Sequence, residues 1–368
     1  NQVSTVGAFI LSASTQLANS AMRDAEGIDL VVGAKGSPLQ LILSAVYQVD
    51  APTGNIPLET AAQLQQNRMV KSVIPLALGD SYRGFRIVGS TDDYIAHYGG
   101  QFAQGGKAEK SMQAVLGAQA AQRTGATIGS RFFGSHGLTE GGENHDEAAF
   151  DVVGILQPTG TVLDRLIVTP VESVWHVHEK IDGLDADDEE EREVIEQNRE
   201  LTALLIQYTS PLAAVTMPRF INSQPQLQAA QPAFEAAKLF RLLGVGVDVM
   251  RGIAAIVLLS AALSMLVALY HALEERKADL AILRTLGSPP RKLLLLLLCE
   301  GVLLAVAGAL LGWLLGHAAV EVLGQSLLDK HNVVLSGLYM ATEEIWLLPI
   351  AIGIGVLAAL LPAIRAYR

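Results

Sequence analysis

The residues able to do chemistry fall into three groups: histidines near carboxylates, glycine-rich loops, and charges inside or beside apolar runs. His136 and His145 flank a glycine-rich loop ending His145-Asp146-Glu147, and Glu172, His176 and His178 lie close together. Imidazoles and carboxylates bind divalent metals where they converge. His176 and His178 would share a face only in a strand, and their segment has helical periodicity, so structural or exposed histidines are the simpler reading. The segment Val31–Ser37, with Gly33, Lys35 and Gly36, follows an apolar strand but lacks a lysine and hydroxyl directly after a second glycine. A phosphate cradle needs both there. No other segment supplies them, and Gly33 and Gly36 read as turn formers. Gly79-Asp80-Ser81 has no nucleophile elbow around it, and Gly117 and Gly129 bracket a helix only loosely like a cofactor fingerprint. No catalytic residue, bound cofactor or metal is expected in this chain, and any ATP hydrolysis belongs to a partner.

The third group is more informative. Glu300 lies within an almost uncharged run, where a carboxylate is costly and faces a partner or a cavity. A functional role and a purely structural hydrogen bond both fit it. A proton pathway does not, because His317, the other ionisable group of that run, lies near its opposite end. Gly308, Gly312 and Gly316 recur every four residues in the same run, so they share one helical face and permit close approach of another helix. Just before it, residues 274–287 read as a helix with Leu280, Leu283 and Leu286 apolar and Glu275, Arg276, Asp279 and Arg284 charged. Gly287 and the prolines Pro289 and Pro290 stop it. Such a helix is either interfacial or a docking element for a soluble partner.

These residues are positioned by a chain of two characters. The 368 residues are 50% hydrophobic, and the apolar content is concentrated in the runs 252–272, 293–319 and 345–364, each long enough to cross a bilayer. Residues 24–240 read as ordinary globular sequence, preceded by 1–23 and followed by a transmembrane part, 241–368. A net charge of −11 argues against nucleic acid as a partner. The single cysteine, Cys299, lies in the second apolar run, so the globular part holds no disulfide or thiolate cluster.

Charge sets the expected topology. Arg276, Lys277, Arg284, Arg291 and Lys292 follow the first run and Arg365 and Arg368 the last, so both segments are placed in the cytoplasm. Residues 320–344 hold Lys330 against Glu321, Asp329, Glu343 and Glu344, which suits the opposite side. Alternation then puts the globular domain outside. Val6–Leu11 is too short to span lipid and reads as the outer end of a first transmembrane helix continuing into a stalk.

Within the globular domain, strands are expected at Asp29–Val32, Arg86–Gly89, Val115–Leu116, Phe150–Leu156, Leu166–Thr169 and Leu204–Tyr208. Helices are expected at Leu39–Tyr47, Ala108–Gly125, Val171–Lys180 and Pro211–Asn222, an α+β pattern. The acidic run Asp185–Glu193 reads as a solvated loop or helix start.

The segment Glu275–Gly287, followed by Glu300 and the Gly308/Gly312/Gly316 helix, closely resembles the FtsX-like permeases of MacB-type ABC transporters. Pro362, Ala363, Arg365 and Ala366 match their usual ending. Gly27–Gly33, Ala114–Gly117 and Asp151–Ile155 are similar, more loosely, to the family's extracytoplasmic segments. The resemblance implies four transmembrane helices in the bacterial inner membrane, three of them in this sequence, with a large periplasmic domain between the first and second. It also implies a second permease copy, and a cytoplasmic ABC ATPase that binds ATP and magnesium. In the family the short cytoplasmic helix contacts that ATPase, which assigns coupling to Glu275, Arg276, Asp279, Leu280, Leu283, Arg284 and Gly287, and membrane packing to Glu300, Gly308, Gly312 and Gly316. The expected function is mechanotransmission: motion driven by ATP on one side moves the periplasmic domain on the other, to export or extract a substrate. The alternative is control of a periplasmic protein partner by the same motion.

Overall fold

The computed structural model describes residues 12, 15–136, 144–178, 199–276, 278, 282, 285–331, 336–340 and 342–367. Val6–Leu11 and the acidic run Asp185–Glu193 lie outside them. The chain divides into two compact units, Asn19–Leu239 and a second made of Asn1–Ala18 with Phe240–Arg368.

The first unit is an α+β domain. Its strands are β1 (Leu30–Ala34), β2 (Ile56–Pro57), β3 (Val70–Tyr82), β4 (Phe85–Ser90), β5 (Phe102–Gly105), β6 (Gln113–Leu116), β7 (Arg131–His136), β8 (Asn144–Leu156), β9 (Leu166–Pro170), β10 (Glu200–Leu201), β11 (Ala203–Tyr208) and β12 (Leu227–Ala230). Ten of them form one mixed sheet in the order β12-β1-β11-β3-β4-β9-β6-β8-β5, and β7 pairs with both β3 and β8. Pairing is parallel between β4 and β9 and between β6 and β8, and antiparallel elsewhere along that path.

The double pairing of β7 closes β3, β4, β9, β6, β8 and β7 into a ring, through Asp80 opposite His136 and Ser81 opposite Ser135. The period of two along each strand then decides what fills it. Phe85, Ile87, Ala114, Leu116, Phe132, Phe150, Val152 and Ile167 share one buried cluster. Their neighbours Val88, Val115 and Val168 belong to another, with Leu41, Ile42 and Ala45 of helix Pro38–Ala45 and Tyr94 and Ile95 of helix Asp92–His97. Phe132 stacks on Tyr82 at 4.5 Å and on Phe150 at 5.3 Å between ring centroids. The open half of the sheet alternates likewise. Val31 and Leu205 join the helix Pro38–Ala45 cluster, while Leu30, Val32, Leu204 and Ile206 pack with Leu64, Ala213, Met217 and Ile221 on the opposite face.

Residues 15–24 are helical, and Asp24 ends that helix in a buried polar cluster. Its Oδ1 accepts from Val162 N at 2.6 Å and its Oδ2 from Arg165 Nη2 at 3.3 Å, while Tyr98 OH donates to its carbonyl at 3.0 Å. Burial pushes the Asp24 carboxyl above its usual range and outweighs the opposing pull of Arg165. Nearby, Arg86 is buried with its guanidinium donating to Ser44 O, Gln48 Oε1 and Asp50 O. Three acceptors let that charge stay inside.

The expected helix Ala108–Gly125 is corrected: residues 113–116 are β6, and the helix runs only Ala118–Thr124, stopped by Gly125 in the left-handed region at φ 68°. Gln113–Leu116 has β partners on both sides, β8 and β9, whose ladders outweigh a local helical pattern. Helix Pro38–Ala45 starts one residue and ends two residues earlier than expected, Ala213–Asn222 starts two residues later, and Val171–His178 begins as expected and reaches the edge of the described residues. The long strand β3, absent from the expected strands, runs through Pro75 and Gly79, residue types that strands rarely hold in their interior. Pro75 sits opposite Leu204 with its carbonyl taken by Ser90 Oγ at 2.7 Å, and Gly79 lies at a shift of register toward β4.

Candidate functional site

The second unit is helical. Its long helices are Pro232–Glu275, Pro290–His331 and Leu347–Tyr367, each extending past one or both ends of the apolar run that announced it. Among the described residues two helices are long and apolar enough to cross a membrane, Pro232–Ala272 and Leu298–Gln325, and Glu344–Leu360 is a shorter apolar helix.

Glu275 ends the first long helix and is exposed, and Arg276 N still bonds Ala272 O. The side chain of Arg276 turns to Glu300 on the next helix, with Nη1 3.7 Å from Oε2. The carboxylate found in sequence as a costly charge thus has a guanidinium facing it from the preceding helix. Asp279, Leu280, Leu283 and Arg284 lie outside the described residues. Ile282 and Leu286, one turn apart and joined by the bond from Leu286 N to Ile282 O, are 55% and 78% exposed. Gly287 follows at φ 91°, a left-handed conformation that favours glycine, and Pro290 opens the next helix at a position where no amide proton is needed. Ile282 was not singled out in sequence, although its spacing from Leu286 carries the signal.

Gly308, Gly312 and Gly316 are buried, with Gly301, Ala309 and Val320 on the same face of helix Pro290–His331. The tightest approach to helix Leu347–Tyr367 involves a pair the sequence reading missed. A Cβ on Gly301 would stand 2.6 Å from Ala359 Cβ, and one on Gly355 would stand 3.0 Å from Gly301 O. Gly301 is seven residues before Gly308 and so extends the same ridge. Gly355 is on another helix, and spacing within one helix says nothing of it.

At the far end of these helices is a polar cluster. Glu344 is buried, and its Oε2 accepts from Trp313 Nε1 at 2.8 Å and lies 2.8 Å from His317 Nε2. His317 Nδ1 lies 2.6 Å from Gly337 O, and Gly337 N donates to Glu321 Oε2 at 2.8 Å. Ser336 and Gln16 exchange two bonds of 2.9 Å, and Ser12 Oγ donates to Tyr339 O at 3.3 Å. A cleft of about 270 Å³ beside Glu344 is lined by Ala309, Leu310, Trp313, Ile345 and Leu348.

His176 and Glu172 are exposed on helix Val171–His178, and the side chains of His136, His145, Asp146, Glu147 and His178 lie outside the described residues. No three His, Cys, Asp or Glu converge among the described residues.

The periplasmic region of MacB from Actinobacillus actinomycetemcomitans is similar at 12% identity over 59% of this chain and 95% of its own, with a TM-score of 0.39. The extracellular domain of the noncanonic ABC-type transporter YknZ from Gram-positive bacteria is similar at 13% identity over 55% and 99%, with a TM-score of 0.34. Comparison with curated proteins gives no match. Residues 251–368 match the family model described as FtsX-like permease C-terminal. Over these residues the chain is similar to the FtsX-like permeases.

Proposed function

We propose that this chain is the membrane permease subunit of an ABC transporter, converting ATP binding and hydrolysis in a separate cytoplasmic ATPase into motion of its α+β domain. The observation that carries the reading is the segment between the first two long helices. It offers an exposed apolar pair, Ile282 and Leu286, and its basic start, Arg276, faces Glu300 in the following helix. A partner pressing on Ile282 and Leu286 therefore acts on a segment linked to that helix as well as to the one it leaves. The basic residues of this loop place it in the cytoplasm, where an ATPase would meet it, and place the α+β domain on the other side of the membrane. Differential ATP affinity for two states supplies the free energy of the switch.

ATP and magnesium bind in the partner, and the permease acts as a dimer. Val245, Val249, Ile253, Ile256 and Leu263 form an exposed apolar ridge on helix Pro232–Glu275 that suits lipid or a second copy. The α+β domain then moves to export or extract a substrate. The test is co-purification of the ATPase with the full chain carrying Ile282→Glu and Leu286→Glu. Binding is expected to fall at least about tenfold, as for loss of an apolar hot spot. Unchanged binding with normal membrane insertion would overturn the assignment.

A further inference from the structure

The joint between helix 15–24 and strand β1 holds a histidine in a place that suits only its neutral form. His97, the last residue of helix Asp92–His97, lies against the turn 25–27, where a Cβ on Gly27 would stand 3.0 Å from its Cε1. Gly27 takes φ 76°, which glycine tolerates, so the chain turns directly over the ring. Tyr98 closes another side, edge-on at 4.8 Å between ring centroids, and its OH donates to Asp24 O.

The two ring nitrogens differ. One donates to the backbone of Glu26, while Nε2 is enclosed and has no hydrogen-bond partner. The proton of the neutral ring is therefore on Nδ1, and Nε2 keeps its lone pair. A second proton would place a charged donor where nothing accepts it. Burial accordingly holds the imidazole below its ordinary value, and the bond to Glu26 offsets only part of that.

The charged groups around the joint are engaged elsewhere or exposed. They are Arg23, Asp24 and Glu26 on the helix and turn, Asp92 and Asp93 on the helix of His97, and Asp164 and Arg165 on the 3-10 turn Val162–Arg165. Asp24 holds Val162 N and Arg165, Asp92 pairs with Lys107, and Asp164 holds Thr159 and Gly160. None of them bonds Nε2. Tyr47, Tyr94 and Tyr98 are neutral phenols, held above their ordinary range by burial. Outside this seat the balance reverses, because Asp93 is exposed one turn before His97 and a cation is favoured at the C-terminal end of a helix.

We propose that His97 is an acid-released catch: while neutral it seats against Glu26 and Gly27 and fixes helix 15–24 to β1, and on taking a proton from water at Nε2 it leaves for solvent and frees the turn. The seated state is favoured above the ordinary imidazole value and loses that advantage as pH falls. The catch needs no ATPase and stands apart from the coupling role proposed above.

The test follows backbone amide exchange in the full chain in lipid nanodiscs without ATPase, from pH 7.5 to 5, corrected for intrinsic exchange. Ile28 N bonds Ala25 O in the turn and reports on the catch, and Gly129 N, bonded to Val152 O, is the control. A released histidine with its ordinary value of about 6.5 favours opening by up to about thirtyfold over this range. Exchange at Ile28 is expected to quicken by about fivefold to thirtyfold with the uptake of one proton, while Gly129 stays within about twofold. His97→Phe keeps a ring without the nitrogens and should remove the dependence. Asp24→Asn removes another titrating group of the joint and should leave the dependence in place, which keeps the test decisive if His97→Phe does not fold. A smaller change at Ile28, a comparable change at Gly129, survival of the dependence in His97→Phe or its loss in Asp24→Asn would each overturn the catch.

Discussion

Arg276 Nη1 faces Glu300 Oε2 at 3.7 Å across the segment that joins the first two long helices. The arginine side chain is 61% exposed and the glutamate 32%, so the pair is a steering contact and contributes little to stability. If it transmits motion, reversing either charge should weaken stimulation of the partner ATPase, and reversing both should restore it. A coupling of about 0.2–1 kcal/mol is expected for an exposed pair, or about 1.4- to 5-fold in the stimulated rate. A double-mutant cycle on ATPase rates, with Arg276→Glu and Glu300→Arg singly and together, measures it.

The glycines of the helical unit predict opposite outcomes for one substitution. In Gly301→Ala the new methyl would meet Ala359 Cβ at 2.6 Å and Gly355 O at 3.2 Å, and the helices must move apart. A loss of about 1–3 kcal/mol is expected. Gly353 has no atom within 4 Å of a built Cβ, so Gly353→Ala should be neutral or gain up to about 1 kcal/mol from helix propensity. Thermal unfolding of the two variants in the same detergent checks the contrast.

The contrast shows what the sequence made legible. Gly308, Gly312 and Gly316 announced a close-packed face because helical periodicity is local, and all three are buried. Gly355 and Glu344 could not be matched with Gly301 and His317, because those contacts join residues 54 and 27 positions apart and depend on how two helices meet. In the α+β unit, strands rich in valine, isoleucine and leucine such as β9 and β11 declared themselves. The ring closure did not, since among the described residues β7 meets β3 at Asp80 and Ser81, residues with no strand signal of their own.

Asp24 gives a pH dependence with a definite sign. Burial raises its folded-state carboxyl above the unfolded value, with Arg165 only partly compensating. A raised acid contributes stability that is fully present below the unfolded value, about 3.9, and is lost as pH rises through the folded one. Asp24→Asn lacks this dependence. Lowering the pH from about 7 to about 4 should therefore shift the stability difference in favour of the wild-type chain. Urea unfolding of the full chain followed at Trp175, with Trp313 and Trp346 replaced by phenylalanine, reads the α+β unit and checks the direction.

Gly117 carries the last prediction. In sequence it resembled part of a cofactor fingerprint, but its setting is structural: Gly117 N donates to Leu166 O at 2.9 Å, and the residue leads from β6 into helix Ala118–Thr124. A Cβ there would stand 2.1 Å from Leu163 O and 2.5 Å from Asp164 O. Both obstacles are backbone of the 3-10 turn Val162–Arg165, whose Val162 amide is held by Asp24 and whose Arg165 also reaches Tyr47 O. The turn cannot yield without disturbing that buried cluster, so Gly117→Ala should cost about 3 kcal/mol or more. Gly106, with nothing within 4 Å of a built Cβ, is the control, and Gly106→Ala should stay within about 0.5 kcal/mol of the wild type. Urea midpoints for the two variants decide the matter: equal losses would mean that the turn gives way, and a loss confined to Gly117→Ala would establish the close approach of β6 to residues 163–164 as a fixed point of the ring.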